Sequence, residues 1–281
     1  MPDKKVDYPL PMKGLTYDPD KSKLPPEVIV MPKLNGVRMR WDVESQCLRT
    51  NNGIKVKSCD HIVEQIIAAG MDDMPLDGES YYHGPEHTFS DINGKTRRKV
   101  SSKETEFLEY HLFDLAEYDR RLSKRFRVGN LKTYELHLTQ FPNLRIVPSR
   151  VARPVDIYTI FKDFLEDGYE GIMISDPFSY YQSGRSKCMW KHKPVYDAEF
   201  PFMGIEYATE GRNKVLGLFS SIILGMPDGS TFRCSGISDK DKRTLLASPP
   251  PIGTPITIEY GDLSDTGTPL FPRFKGIRWD Q

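Results

Sequence analysis

Apolar and polar positions alternate along much of the chain in short runs, the pattern of half-buried β-strands. In the first two thirds of the sequence these runs are EVIVMPKL, GVRMRWDV, MPLDGESYY, EYHLFDL, LRIVPSR, GIMIS and KCMWKHK. Helical segments interrupt them without a regular strand–helix alternation. This arrangement predicts an α+β domain built on antiparallel sheets.

Two segments have the spacing of amphipathic helices instead. CDHIVEQIIAAG places Ile62, Ile66 and Ile67 for burial and ends at Gly70, a helix stop signal. ETEFLEYHL is ambiguous between helix and strand. VDIYTIFKDFLEDG also ends at a glycine, and its apolar stripe consists of Ile157, Ile160, Phe161, Phe164 and Leu165.

The pattern changes after WKHKPVYDAEF. FPFMGIEYATEG, LGLFSSIILGM, STFRCSGI and TPITIEYGDL read as strands separated by turn residues, and DKDKRTLLAS reads as one short helix. Four or five strands and a helix in a short stretch suit a small barrel such as an OB-fold. The sequence therefore predicts two domains: residues 1–194, with antiparallel sheets and flanking helices, and residues 195–281, a small OB-fold β-barrel.

The charge of the chain excludes a global electrostatic attraction to nucleic acid. Its 39 basic residues equal its 39 acidic residues, so any nucleic-acid binding must depend on local patches. The four cysteines include no Cys-x-x-Cys pair, and there is neither a signal peptide nor an apolar run long enough to span a bilayer. We expect a cytoplasmic protein with reduced thiols and no membrane association.

Lys33 is the first candidate for chemistry because it ends an apolar strand directly before the Asn35–Gly36 turn. A lysine beside a hairpin turn is most often a surface residue. As a nucleophile it would have to lose its proton, which desolvation or a neighbouring positive charge favours. Arg38 is the sequence neighbour that would supply such a charge.

Other chemically competent residues also lie at predicted strand ends. LDGES contains two carboxylates beside a glycine, FDL follows an apolar strand, and YEGIMIS begins with Glu170 just before another. Lys191 and Lys193 are two residues apart, so both project to one face of a strand. Each pattern has an ordinary alternative, a turn or a solvated strand edge. Their shared placement at strand ends favours a common site.

This ordered set resembles the covalent nucleotidyltransferases and, within them, the ATP-dependent DNA ligases. The resemblance extends from about Val30 to Arg278. YYQSGRSKCMWKHK is similar to the context of the last lysine motif in DNA ligases, TEGRNKVLGLFSSIIL to the first strands of their OB domain, and FPRFKGIRWD to their final motif. The family's catalytic motifs are matched at Lys33–Arg38, Asp77–Glu79, Phe113–Asp114, Glu170–Gly171 and Lys191–Lys193.

The resemblance implies a nucleotidyltransferase domain followed by an OB domain, and a reaction in three steps. Lys33 takes AMP from ATP, the AMP moves to a 5′-phosphate at a nick, and the 3′-hydroxyl then displaces it. Lys191, Lys193 and Asn35 are the other implied catalytic residues. Glu170 is the implied ligand of Mg²⁺, for which Mn²⁺ can substitute. The implied ATP contacts are Met31, Arg38, Glu79, Phe113, Glu170, Lys191 and Lys193.

The sequence departs from the family pattern at three positions. Asn35 replaces an aspartate that acts in the steps at the nick, and Asn51 stands where the family has an arginine. Arg49 would fill that role only with a change of register. Leu270 also replaces an arginine, whereas Arg278 and Asp280 match the final motif. These departures bear on the substrate more than on lysine adenylylation.

The expected partner is nicked duplex DNA, bound by a monomeric enzyme of minimal, viral type. Arg97 and Arg98 belong to a basic run at residues 95–99, which is expected in a loop and is either solvated or in contact with phosphates. Arg185 and Arg278 are further candidate DNA contacts. An RNA or mixed DNA/RNA ligase is the main alternative. An mRNA-capping guanylyltransferase and an inactive homologue that binds DNA ends fit the sequence less well.

Overall fold

A computed structural model of the chain describes residues 9–118, 121–264 and 266–278, so Asp280 lies outside the described residues. The chain divides into two compact units, Met1–Lys193 and Pro194–Gln281. Among the described residues, no helix is both long and apolar enough to cross a membrane.

The first unit contains ten strands and four α-helices in its described part. The helices are α1 (Asp60–Ala68), α2 (Phe89–Thr96), α3 (Lys124–Thr133) and α4 (Ile157–Glu166). The strands are β1 (Met12–Thr16), β2 (Val28–Lys33), β3 (Val37–Asp42), β4 (Cys47–Thr50), β5 (Leu76–Tyr81), β6 (Glu109–Leu115), β7 (Leu144–Ile146), β8 (Arg150–Ala152), β9 (Gly171–Ser175) and β10 (Gly184–His192).

These strands form two five-stranded sheets. The first sheet has the order β1-β10-β9-β2-β8 and the second the order β4-β3-β5-β6-β7. The pairing is antiparallel except between β1 and β10 and between β6 and β7. The predicted α+β class with antiparallel sheets is therefore confirmed, with one parallel pair in each sheet.

Alternation along β2 assigns the two faces of the first sheet. Val28 and Val30 belong to a core that α4 covers, whereas Ile29 and Met31 join the larger core of the second sheet. Because side chains alternate along a strand, Lys33 lies on the same face as Met31. The lysine that ends β2 is thus directed toward the second sheet.

Three local expectations are corrected by the structure. Ile67 is 49% exposed, because α1 buries only Ile62 and Ile66. Residues 95 and 96 end α2 instead of lying in a loop, since Thr88 and Asp91 form a capping box that starts this polar helix. ETEFLEYHL is neither one helix nor one strand: a 3₁₀ turn ends at Thr105 and β6 begins at Glu109.

The second unit is a small β-barrel. Its elements are β11 (Tyr196–Tyr207), α5 (Gly211–Val215), β12 (Phe219–Gly225), β13 (Thr231–Cys234), α6 (Asp239–Ala247), β14 (Pro255–Tyr260), β15 (Asp262–Leu263), β16 (Pro269–Leu270) and β17 (Arg273–Ile277). The main sheet has the order β13-β12-β11-β14-β17, and a bridge between Ser235 and Arg273 brings its two ends together. This closure confirms the predicted OB-like domain.

Candidate functional site

Lys33 ends β2 opposite Gly171 of β9, and the two strands approach closely there. A Cβ atom on Gly171 would lie 2.3 Å from the carbonyl oxygen of His192, and its φ of +153° is one that other residues rarely adopt. The Glu170 amide donates to the Lys33 carbonyl oxygen over 3.2 Å. Glycine at this position lets three strand ends meet beside the lysine.

Glu170 is the anionic centre of this meeting point. Its carboxylate accepts hydrogen bonds from Nζ of Lys33 and, over 3.3 Å, from Nζ of Lys193. The Glu170 side chain is only 17% exposed, so both ion pairs are partly shielded from water. Lys193 follows the last residue of β10 and does not belong to the strand.

Lys191 completes a cluster of three lysines around one carboxylate. Partial burial lowers the pKa of Lys191, and the positive charges of Lys33 and Lys193 lower it further. The structure therefore brings together Lys33, Glu170, Lys191 and Lys193, which the sequence predicts as one site. Such a cluster can bind a polyphosphate, whose negative charge the lysines would compensate.

The second sheet faces this cluster with Arg38 and Glu79, a directly opposed pair on β3 and β5. We call the space between them and the lysine cluster the inter-sheet cleft. The positive charge of Lys33 and the negative charge of Glu170 both act on the Glu79 carboxyl, which shows that the two sides are close. The Asn35–Gly36 segment, which links β2 to β3, packs tightly on the second sheet, since a Cβ on Gly36 would collide with the Ser80 carbonyl oxygen at 2.2 Å.

Arg38, which the sequence suggests as a source of positive charge for Lys33, is paired with the buried Asp77 carboxylate. Its Nε and Nη2 donate to the two carboxylate oxygens of Asp77 over 2.9 and 2.5 Å, and Nη1 donates to the Met12 carbonyl oxygen over 2.7 Å. The Tyr181 hydroxyl also donates to Asp77 over 2.5 Å. The guanidinium charge is thus compensated by a buried carboxylate, and Arg38 joins the second sheet to β1.

Glu79 is destabilised in its ionised form. Burial raises the pKa of this carboxyl to about 7, although the positive charges of Arg38 and Lys33 oppose the rise. Near neutral pH the carboxyl of the free protein is therefore about half protonated. A ligand that donates a hydrogen bond to Glu79 would favour the ionised form.

Glu79→Gln should stabilise the protein at pH 8. The raised pKa means that the folded protein binds a proton between about pH 4.5 and 7 that the unfolded chain has lost, so stability falls as pH rises through this window. Glutamine does not titrate, so it removes this loss of folding stability, which we expect to be about 1–3 kcal/mol above pH 7. Denaturant unfolding at four pH values from 5 to 8 measures it.

Glu104→Gln is the matched control for this prediction. Hydrogen bonding to Lys95 lowers the pKa of the exposed Glu104 carboxyl, so its titration lies below the window. This variant should keep the wild-type slope between pH 5 and 7. If the free energy of unfolding changes with pH equally in wild type and in Glu79→Gln, the raised pKa does not belong to Glu79.

Phe113 lies on β6 next to a buried ionic cluster that the sequence does not reveal. Its ring centroid is 5.1 Å from the Arg38 guanidinium, and its carbonyl oxygen accepts from Lys124 Nζ over 2.9 Å. Asp114 binds Lys124 over 3.0 Å and Arg127 over 2.6 Å. These contacts fix the backbone and one face of Phe113.

The other predicted site residues occupy different surroundings. Met31 is 5% exposed and belongs to the core. Asn35 does not lie in a hairpin turn as expected, but in the segment that links β2 of the first sheet to β3 of the second. Asn51 is in the turn after β4, and Arg49 cannot take the place of the missing arginine. Arg49 donates to Asp42 over 2.6 Å and to the Gly53 carbonyl oxygen over 3.0 Å, with β3 and β4 in regular register.

Among the candidate DNA contacts of the first unit, Arg185 is close enough to the lysine cluster for its positive charge to lower the pKa of Lys191. Arg97 caps α2, and Arg98 pairs with Glu104 over 2.7 Å. Arg185 is exposed on β10 beside Lys13 of β1. Arg278, in the second unit, contacts Glu199 over 3.0 Å.

The cleft has one carboxylate suited to a metal, and no group of three or more His, Cys, Asp or Glu side chains converges among the described residues. Mg²⁺ commonly takes one or two carboxylates and completes its shell with water and substrate phosphates. Glu170 therefore fits a metal that arrives with a phosphate ligand.

Comparison with known protein families finds two matches that together span most of the chain. The ATP dependent DNA ligase domain matches residues 21–193, and the DNA ligase OB-like domain matches residues 210–278. The first match alone covers more than half of the chain and includes the lysine cluster.

Individual proteins give the same picture. A DNA ligase from Methanosphaera stadtmanae is 28% identical over 257 residues, covering 79% of this chain but 44% of its own length. The chain thus spans less than half the length of the curated relatives it matches.

Solved structures support the fold. A Lig E DNA ligase, studied for DNA binding with a minimal scaffold, has a TM-score of 0.79 at 23% identity and covers 97% of this chain and 100% of its own. The Chlorella virus DNA ligase–adenylate has a TM-score of 0.52 at 21% identity, covering 97% of this chain and 99% of its own.

Proposed function

Because this chain belongs to the ATP-dependent DNA ligase family, we propose that it seals nicks between a 5′-phosphate and a 3′-hydroxyl in duplex DNA through a lysyl-AMP intermediate. The observation that carries the proposal is the cluster in which Lys33 contacts Glu170, with Lys191 and Lys193 beside it. The strand end, the close contact at Gly171 and the ion pair with Glu170 hold Lys33 in one place, as a nucleophile requires.

In the first step Lys33 attacks the α-phosphorus of ATP. The ammonium must first lose a proton, and the Glu170 carboxylate is the acceptor in contact with it. A bond forms between Nζ and phosphorus while the bond from that phosphorus to the bridging oxygen breaks, and pyrophosphate leaves with the electron pair. Lys191 and Lys193 stabilise the negative charge on the phosphate oxygens.

We assign Glu170 as the residue that would hold Mg²⁺, or Mn²⁺ in its place. The ion would supply Lewis-acid compensation of phosphate charge. In the free protein Lys33 and Lys193 contact this carboxylate, so metal binding would exchange these ammonium contacts for metal coordination.

For the nucleotide, we assign Phe113 to stacking with adenine and Glu79 to a ribose hydroxyl. Arg38 covers the Phe113 ring and is bonded to Asp77, so it positions the ring and has little donor capacity left for ribose. Met31 would contact the base through its apolar side chain or its backbone, since it lies on the same strand face as Lys33.

Phe113→Ala should raise KM for ATP by roughly 5- to 150-fold, because stacking on an aromatic side chain contributes about 1–3 kcal/mol per base. The rate at saturating ATP should change much less, since stacking stabilises ground and transition states alike. Phe113→Tyr should behave like wild type. Phe178→Ala removes a ring that is 66% exposed and serves as the control. The measurement is the rate of self-adenylylation as a function of ATP concentration. An unchanged KM for ATP in Phe113→Ala would refute stacking of adenine on Phe113.

In the later steps AMP leaves Lys33 for the 5′-phosphate of the nick, and the bond between Nζ and phosphorus is replaced by a phosphoanhydride. The 3′-hydroxyl then attacks the 5′-phosphate, forms the phosphodiester and expels AMP. Asn35 lies two residues beyond Lys33 and is assigned to these steps, where its amide can orient the strand ends. We propose that Arg97, Arg98, Arg185 and Arg278 contact the DNA and that a monomer acts.

An RNA or mixed-strand ligase is the second candidate, favoured by Asn35 and Asn51 where the family has charged residues. Incubation with labelled ATP or GTP and Mg²⁺ first tests nucleotide transfer, since a capping enzyme would take GTP. Sealing of matched DNA, RNA and hybrid nicks then separates the two ligases. Faster sealing of the RNA nick would overturn the DNA proposal.

A further inference from the structure

The segment that carries Glu170 lies between two glycines. Gly168 and Gly171 have φ angles of +85° and +153°, which other residues rarely adopt. Glycine also leaves the backbone free to take other conformations, so Tyr169 and Glu170 between them must be held by further contacts. The Tyr169 amide supplies one by donating to the Phe164 carbonyl oxygen over 2.9 Å. The side-chain contacts of Tyr169 therefore bear on where the Glu170 carboxylate lies.

The ring of Tyr169 connects the two sheets. It packs against the core beneath α4 and also against the larger core of the second sheet. Phe164 of α4 meets the ring edge-on, with centroids 5.7 Å apart and an angle of 85° between the planes. His83, which follows β5 by two residues, stacks on the same ring with centroids 4.3 Å apart and an angle of 21°. The residue before Glu170 is thus tied to the end of β5.

His83 is itself held by Tyr81, the last residue of β5. The hydroxyl of this buried tyrosine lies 3.0 Å from Nδ1 of His83. Burial raises the pKa of the Tyr81 hydroxyl to about 12, and the negative charge of Glu170 contributes to the rise, so the hydroxyl lies within electrostatic reach of that carboxylate. A chain of contacts therefore leads from β5 through Tyr81, His83 and Tyr169 to the backbone of Glu170.

The stack lies at the surface and not in the core. The His83 side chain is exposed, whereas Tyr169 is half-buried. A single aromatic pair at the surface contributes modestly to folding stability. Because this pair joins the two sheets next to Glu170, its loss should change the inter-sheet cleft much more than it changes the stability of the fold.

We propose that His83 is a positioning residue for lysine adenylylation: by stacking on Tyr169, it holds the Glu170 carboxylate against the Lys33 ammonium. The proposal rests on the proposed function, in which Glu170 accepts the proton that Lys33 must lose. Without the stack, Tyr169 and Glu170 can move between the flanking glycines, and fewer molecules have the carboxylate in contact with Lys33. This role requires the ring of His83 and not its charge.

The test is the rate of self-adenylylation as a function of ATP concentration. His83→Ala should lower the rate at saturating ATP roughly 3- to 10-fold, the effect that corresponds to the loss of one aromatic pair. KM for ATP should stay unchanged, because the stacking contact assigned to Phe113 lies on a different strand. A raised KM with an unchanged rate at saturation would show that His83 contributes to nucleotide binding, and this result would overturn the proposal.

Two further variants make the result specific to the stack. His83→Phe keeps an aromatic ring and should restore the wild-type rate, whereas a rate as low as that of His83→Ala would show that the imidazole is needed for its charge or its proton. His87→Ala removes a neighbouring stack, that of His87 on Phe107 with centroids 3.6 Å apart, and should leave the rate unchanged. An equal loss of rate in His87→Ala would contradict the proposal.

A double-mutant cycle tests whether His83 acts through Tyr169. Tyr169→Leu keeps apolar volume in both cores and removes the ring on which His83 stacks. The double variant His83→Ala/Tyr169→Leu should be no slower than Tyr169→Leu alone, because the stack is already absent. Independent, multiplicative losses of rate would overturn the proposal. Thermal unfolding of each variant shows that the fold is retained.

The labelling of the wild-type protein separates this proposal from the proposed function. If the wild-type protein takes AMP and His83→Ala takes it at the same rate, the positioning role is refuted and the proposed function stands. Absence of AMP on the wild-type protein would overturn both.

Discussion

Lys33→Ala is expected to abolish covalent attachment of AMP to the protein. The reaction needs an amine at the end of β2, and none of the neighbouring lysines can replace it, because Lys191 and Lys193 extend from a different strand end. The fold should persist, since the Glu170 carboxylate keeps Lys193 as a partner. Labelled ATP with Mg²⁺, followed by denaturing electrophoresis, measures the attachment.

Lys33→Arg should fail equally, because a guanidinium stays protonated and cannot act as a nucleophile. This variant preserves a cation beside Glu170 and so separates loss of the nucleophile from loss of the ion pair. Lys162→Ala, an exposed lysine of α4, is the control and should label normally. Label retained by either Lys33 variant would assign the nucleophile elsewhere.

Gly171→Ala is expected to reduce adenylylation at least 100-fold through backbone geometry. The new methyl group would lie 2.3 Å from the His192 carbonyl oxygen and 2.9 Å from the Lys193 Cα atom. Strands β9 and β10 would have to separate where Glu170 and Lys193 meet Lys33. Overpacking of this kind destabilises by about 1–3 kcal/mol, so unfolding should also shift.

Gly129→Ala is the matched control for that substitution. Gly129 lies within α3, and a Cβ there meets nothing within 4 Å. Alanine should stabilise this helix by about 0.5–1 kcal/mol and leave adenylylation unchanged. If Gly171→Ala adenylylates at the wild-type rate, the close contact between β9 and β10 is not required for the site.

The lysine cluster could be predicted from sequence because each member is tied to a strand end. Short apolar runs fix where Lys33, Glu170 and Lys191 lie along the chain, and hydrogen-bonded pairing brings those ends together. The relation of Arg38 to Asp77 could not be predicted in this way. Strand register places Arg38 directly opposite Glu79, but its guanidinium bonds to Asp77 instead. Which side chain it contacts depends on local side-chain geometry, which the strand pattern does not reveal.

Helix α3 shows why part of the fold has no apolar signature. Its buried positions include Lys124 and Arg127 beside Val128 and Leu131, because the two cations pair with the buried Asp114. A helix with a charged buried face does not produce the apolar period on which prediction depends. α2 is also polar, and the sequence feature that indicates this helix is the capping box formed by Thr88 and Asp91 at its start.

The central claim is that Lys33 carries AMP as an intermediate in joining DNA ends. The most direct measurement is to incubate the wild-type protein with labelled ATP and Mg²⁺, map the labelled peptide, and then chase the label with nicked duplex DNA in the absence of free ATP. We predict a single AMP on the peptide that contains Lys33, and its loss from the protein as the nick is sealed. A label on another residue, or a label on Lys33 that nicked DNA does not discharge, would contradict the account.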